Sequence, residues 1–238
     1  MVAYLAQKER TDEALLAATA KADQLLNEIE RMVAMNCTAV DIAYTPADLY
    51  RLKREGKKAI MLGIENGYAI GKDLTNVERF RNRGVVYMTL CHNGNNDICG
   101  SARYNDEHIG VTPFGEQVIR EMNRTGMMVD LSHAGEQTFY DTLDISSKPV
   151  VCSHSSSRAL CDHPRNLTDE QLKAIARKGG VVQVCLYSGF LRTDAPATIC
   201  DAIEHLHHMV NIMGIEHVAS EPTSTATGEL SVVMILRN

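Results

Sequence analysis

The sequence predicts an α/β fold: a parallel sheet curved toward a (β/α) barrel and wrapped by helices. Three observations predict it. Short apolar runs alternate with helical patterns at a regular interval through the chain. The runs are apolar at successive positions, as strands buried on both faces must be. Acids and imidazoles fall at the C-terminal ends of those runs. The alternation alone also fits an open doubly wound sheet. The third observation favours the barrel, because a barrel gathers its strand ends at one mouth and an open sheet spreads them along an edge.

Residues 12–35 form the first predicted helix. Leu15, Ala18, Ala22, Leu25, Ile29 and Met32 recur at helical spacing, Thr11 stands at the N-cap, and Asp12 and Glu13 lie in the first turn. A short strand follows at Thr38–Ala43. A helix then runs from Pro46 to Glu55, with Pro in its first turn and Gly56 beyond its end. Strands are predicted at Lys58–Ile64, Val85–Leu90, Met127–Leu131, Pro149–Cys152 and Gly180–Cys185. Helices separate or follow them at 74–83, 114–125, 135–144, 168–178 and 199–213. The interval is too regular for an α+β fold, and no Pro/Gly/Ser-rich linker divides the chain. Residues 1–218 therefore read as a single domain.

Composition narrows the function. Of 238 residues, 45% are hydrophobic and 23% charged, as in an ordinary globular domain. A formal net charge of −6 argues against nucleic-acid or anionic-membrane partners, which gain from positive charge. No apolar run approaches the roughly 20 residues of a membrane helix, and the opening residues lack the order of a signal peptide. Seven cysteines, an odd number without a CxxC pair, indicate neither a disulfide framework nor a zinc–thiolate site. They read as reduced, buried thiols of a cytoplasmic protein.

The polar strand ends carry the candidate chemistry. Glu65 closes an apolar run where an unpaired charge is costly; it reads as a ligand, a salt-bridge partner or a cap. His133 and His154 each close a strand with a serine just before them. Alone, either is an ordinary hydrogen-bonded core histidine; two on successive strands with an earlier glutamate fit a borderline metal such as zinc. Asp130 reads equally as a carboxylate orienting an imidazole and as one accepting backbone N–H bonds. Arg165, in the loop after His154, suits recognition of a carboxylate or is a solvated charge. Ser155–Ser157 lack a nucleophile-elbow pattern and read as the opening of a helical turn. His205, His207 and His208 read as a solvated helix face.

These strings resemble the membrane (renal) dipeptidase family of zinc metallopeptidases. The resemblance runs from about residue 58 to 218, on GIENG (63–67), YMTLCHNGNN (87–96), FGEQVIREMNRTGMMVDLSHAGEQTF (114–139), VVCSHSSSRAL (150–160) and HPRNLTDEQLKAIARKGG (163–180). It implies a binuclear zinc site on a (β/α)8 TIM-type metal-hydrolase barrel that hydrolyses dipeptides, often tolerating a D-residue at the C-terminal position. It also implies that Glu65 bridges the metals and that His133 and His154 ligate one of them. His92 then contacts substrate and helps polarise the scissile carbonyl or steady the tetrahedral intermediate, and Arg165 holds the substrate's terminal carboxylate. Family members commonly pair into homodimers.

The chain departs from this pattern at both ends. The family's first strand carries His-x-Asp, and no histidine precedes His92. The expectation is thus an incomplete barrel lacking its first strand and its last strand or strands. At most one well-ligated zinc site, lowered stability and little or no activity follow. Two other classes stay open: a non-catalytic metal-binding fragment, and a related amidohydrolase acting on another amide. After GIEHV (214–218) the family continues G-I-G-x-D-F-D-G, whereas this chain reads ASEPTSTATGELSVVMILRN. Loss of one base after Val218 accounts for this under suitable codons, so residues 219–238 are expected to be an aberrant, out-of-frame tail.

Overall fold

The predicted helices owe their starts to side-chain caps. Thr11, Thr45, Thr112, Thr168 and Thr198 each accept a backbone N–H from the first turn. Thr45, Thr168 and Thr198 complete reciprocal boxes with Asp48, Gln171 and Asp201. The structure, a computed structural model, describes residues 2–4, 10–103 and 109–220. In chain order the elements are β1 (Val2–Tyr4), α1 (Asp12–Met35), β2 (Val40–Ile42), α2 (Pro46–Arg54), β3 (Lys58–Ile60), β4 (Leu62–Glu65), α3 (Thr75–Asn82), β5 (Val85–Thr89) and α4 (Pro113–Thr125). They continue with β6 (Met128–Asp130), α5 (Glu136–Ile145), β7 (Val151–Cys152), α6 (Asp169–Arg177), β8 (Val181–Val184), α7 (Ser188–Leu191), α8 (Ile199–Met213) and β9 (Val218–Ser220).

Seven strands make one parallel sheet in the order β1-β4-β5-β6-β7-β8-β9. Among the described residues no ladder joins β9 to β1, so the barrel is not closed. From β4 onward the strands follow one another in sequence across the sheet. Ile64, Met88, Val129, Cys152, Val182 and Val184 share one core with the inner faces of the helices, including Phe80, Ile119, Met122, Leu172, Ile175 and Met209. On the other face of the strands, Glu65, Thr89 and Asp130 stand side by side in register. Gly63 lies one step earlier, opposite Tyr87. A Cβ there would meet the Tyr87 ring, so the small residue makes room for the large one.

Two expectations are corrected by the fold. The apolar run 58–64 is two strands rather than one. Lys58–Ile60 pairs with β2 in a separate two-stranded sheet, and only Leu62–Glu65 enters the main sheet. A run of uniform apolarity carries no mark of which partner each half takes. Val2–Tyr4, for which the sequence reading assigned no strand, pairs in parallel with β4. Ser155–Ser157 do open a single helical turn, closed by the Cys161 amide donating to the Ser157 carbonyl at 3.2 Å. All three are buried; Ser156 Oγ donates to the Cys185 carbonyl and Ser157 bridges to Leu167. The strand β9 takes in Ala219 and Ser220 through backbone pairing with β8; residues 221–238 of the proposed tail lie outside the described residues.

Candidate metal centre

Glu65 is the last residue of β4, and the chain turns away from the sheet immediately after it. Asn66 makes that turn with φ +87° and is fully buried. Its Oδ1 accepts from the Tyr68 amide at 3.2 Å and from Asn96 Nδ2 at 3.0 Å. Asparagine tolerates this conformation better than most side chains. The other non-glycine residue with positive φ among the described residues is His133, at +71°. Its carbonyl accepts from the Ala102 amide at 2.7 Å, which ties the turn to the loop after β5. Such conformations cost about 1–3 kcal/mol each and persist where the surroundings hold them. Both strained residues lie at this one site.

The turns bring three ligating atoms together. Glu65 Oε1 lies 3.2 Å from His133 Nε2 and 3.4 Å from His154 Nε2, and the two Nε2 atoms are 2.9 Å apart. Ligand bonds of about 2.0–2.1 Å to a tetrahedral zinc would set neighbouring ligand atoms about 3.3 Å apart. The two glutamate–histidine gaps match that spacing and the histidine pair is slightly tighter. Two imidazoles and a carboxylate are a donor set that zinc accepts. The residues present therefore fit a metal ion. This is the only such group of three among the described residues.

Electrostatics at the cluster follow from burial and from Arg165. Burial alone would raise the Glu65 pKa, but the two imidazoles beside it, His133 and His154, hold it well below the usual carboxylate range. Burial and then the Arg165 charge push His133 well down. His154 is pulled down by burial too, yet its contact with Glu65 carries it above the ordinary value. His92 Nε2 lies 3.7 Å from Glu65 Oε1, and its ring packs 4.1 Å from that of His133. Burial lowers its pKa to about 4. His92 is therefore neutral at pH 7 and offers hydrogen bonding without charge.

Residues 2–225 match the family described as Membrane dipeptidase (Peptidase family M19). The chain belongs to the membrane dipeptidase family. It is 40% identical over 171 residues to an uncharacterized dipeptidase of Schizosaccharomyces pombe, covering 70% of this chain and 41% of that protein. Dipeptidase tcpJ of Claviceps purpurea is 34% identical over 197 residues, covering 82% of this chain and 46% of that protein. The chain thus spans less than half the length of these curated relatives. Among solved structures, that of the probable dipeptidase PvdM from Pseudomonas aeruginosa superimposes with a TM-score of 0.84 at 25% identity, covering 89% of this chain and 69% of that one.

Within this dipeptidase fold, Arg165 is not the solvated charge that a lone loop arginine would be. It is buried, its Nη2 donates to the His154 carbonyl at 3.2 Å, and its guanidinium lies 5.3 Å from the Phe190 ring centroid. Its Nε is buried without a partner. Burial lowers its pKa, but a guanidinium stays charged. The reading of His205 is also corrected. It is 1% exposed, because α8 buries Ala202, His205, Met209 and Met213 along one stripe. Its Nδ1 accepts from the Ser157 amide at 3.0 Å and its Nε2 faces the Leu191 carbonyl at 3.0 Å. His207 is on the solvent side, and His208 is half-buried against Asp169 at 2.8 Å. Sequence reasoning missed Asn93, whose Oδ1 faces His133 Nδ1 at 3.2 Å. It also missed Thr89 and Ser153, which surround Asp130. The one signal for Ser153 was its place just before a strand-end histidine.

Proposed function

We propose that this chain is a zinc-dependent dipeptidase that holds one zinc ion on Glu65, His133 and His154. The observation that carries the reading is the convergence of these three ligands, from three separate strand ends, at ligand-to-ligand spacing. When bound, the ion supplies Lewis acidity toward a carbonyl oxygen and toward water. The chain's own residues supply the rest. His92, neutral and beside Glu65, hydrogen-bonds the oxygen on which charge develops as the peptide bond is attacked. Arg165, a buried cation with an unpartnered Nε, pairs with the free carboxylate of the substrate's C-terminal residue. A free carboxylate one residue from the scissile bond marks a C-terminal residue, and membership of the membrane dipeptidase family supports a dipeptide as the substrate. With one ion where the family pattern implies two, turnover is slow, below about 1 s⁻¹ at the low edge of enzyme rates.

The test is a zinc titration followed by amino-acid release from L-Ala-L-Ala, L-Ala-D-Ala and the C-terminally amidated L-Ala-L-Ala. One zinc per chain, slow release from the free dipeptides and none from the amide are expected. A chain that binds no zinc and releases no alanine would overturn the reading. We also propose that residues 219–238 are read out of frame. Ala219 and Ser220 join β9 by backbone pairing, which any sequence supplies. DNA sequence across the codons for His217 to Gly228 decides the matter, and codons that restore no motif one base earlier would refute it.

A further inference from the structure

Asp130 is the most heavily engaged buried group near the metal cluster, and it touches no ligand directly. It lies on β6 with no exposed surface. Its Oδ1 accepts from the amides of Ser132 and Ser153 at 3.0 and 2.9 Å. Its Oδ2 accepts from Thr89 Oγ1 and Ser153 Oγ, each at 2.6 Å. Ser153 Oγ in turn lies 2.7 Å from His154 Nδ1. The His154 amide is held separately, by Ser132 Oγ at 2.9 Å.

Counting hydrogens fixes the direction of this chain. A serine hydroxyl has one hydrogen. At 2.6 Å from a carboxylate oxygen, against 2.7 Å to the ring nitrogen, that hydrogen belongs to the charge-assisted Ser153–Asp130 bond, which joins three other donors on Asp130. Ser153 Oγ then has only lone pairs to offer His154, so His154 Nδ1 must carry a hydrogen and donate it. The neutral ring consequently keeps its Nε2 lone pair, which without an ion accepts from His133 Nε2–H across the 2.9 Å contact and is free to ligate once that proton leaves. We infer that Asp130, acting through Ser153, is a positioning device that selects the metal-binding tautomer of His154. The inference rests on the metal reading above and deepens it. It differs from a direct carboxylate–histidine pair in that the serine relays orientation without placing a second full charge against the ring.

The arrangement makes a prediction that a purely structural role does not. In Asp130→Asn the amide oxygen takes the Oδ1 position, where two backbone N–H groups need an acceptor. The amide nitrogen then faces Ser153 Oγ and donates to it. The Ser153 hydrogen is released toward His154 Nδ1, and the ring proton moves to Nε2, which blocks ligation. Ser153→Ala removes the relay and leaves the tautomer unset, whereas Ser153→Thr retains the hydroxyl.

The experiment is nitrogen-15 NMR of the histidine side chains in the full chain, chelator-treated and kept above pH 8 so that neutral rings are observed. Zinc affinity is measured in parallel by competition with a chromophoric chelator. The expected result is an Nδ1–H tautomer for His154 in the wild-type chain and in Ser153→Thr, a mixture in Ser153→Ala, and an Nε2–H tautomer in Asp130→Asn. Zinc affinity should fall about 10- to 100-fold in Ser153→Ala and Asp130→Asn and by less than about threefold in Ser153→Thr. An unchanged tautomer and affinity in both Ser153→Ala and Asp130→Asn would overturn the inference. A wild-type chain that binds no zinc would instead remove the metal reading, and the tautomers alone would then decide the role of Asp130. Where Asp130→Asn fails to fold, the Ser153 pair carries the test.

Discussion

Two carboxylates of this chain each draw in several donors, and they differ in almost everything that follows. Asp130 is sealed inside the sheet, with two amides and two hydroxyls on its oxygens. Asp23 sits on α1, where Arg79 Nη1 approaches at 2.7 Å and Arg83 Nη1 at 2.9 Å, and Arg83 also reaches Glu30 at 2.9 Å. Its side chain is about one-third exposed (31%). Burial opposes its charge, but the two arginines outweigh that and hold its carboxyl below the usual range. Water stands ready to replace either arginine, so this network fastens α1 to α3 weakly. Nothing stands ready to replace Asp130. Neutral donors from the end of β5 and from the turns just after β6 and β7 are committed to it, and each is left unpaired when it goes.

The largest effect expected from this contrast is that of Asp130→Ala. It leaves buried amides and hydroxyls without an acceptor and should lower unfolding free energy by about 3–5 kcal/mol, read from urea denaturation. A loss below about 1 kcal/mol would mean that water enters and the site is not sealed.

Next in size is a pH effect on the chelator-treated chain. Burial holds His92 near 4, while the unfolded chain titrates it near its ordinary 6.5. Between those values the unfolded state binds more protons, so stability is fully present above 6.5 and declines as pH falls toward 4. His133 is lowered in the same sense and His154, which is raised, opposes it. Replacing His92 by asparagine should flatten the decline by up to about 3 kcal/mol. Parallel stability curves for the two chains would show that His92 is solvated. The smallest expected effect is that of Asp23→Asn, a loss of about 1 kcal/mol or less that shrinks further in high salt.

The comparison also explains how far the sequence could be read. Helices announce themselves through local spacing and threonine caps, and Thr11, Thr45, Thr112, Thr168 and Thr198 all cap where periodicity begins. Strand ends are legible too, because Glu65, His92, His133 and His154 each interrupt or follow an apolar run. What stayed hidden depends on register between distant segments. The bond from Thr89 to Asp130 spans 41 residues and that from Ser153 spans 23. No local pattern says that these strands lie level. His205 was misread for a related reason. Alone on a helix it looks solvated, and only the arrival of Ser157 and Leu191 from two other segments makes its burial tolerable.

The central claim, that Glu65, His133 and His154 form one metal site, is tested most directly by zinc calorimetry on the wild-type chain and on Glu65→Gln, His133→Ala and His154→Ala. One zinc per chain in the wild type is predicted, with affinity reduced at least about 10-fold in every single variant. Zinc bound equally well by all four chains would place the ion elsewhere and contradict the account.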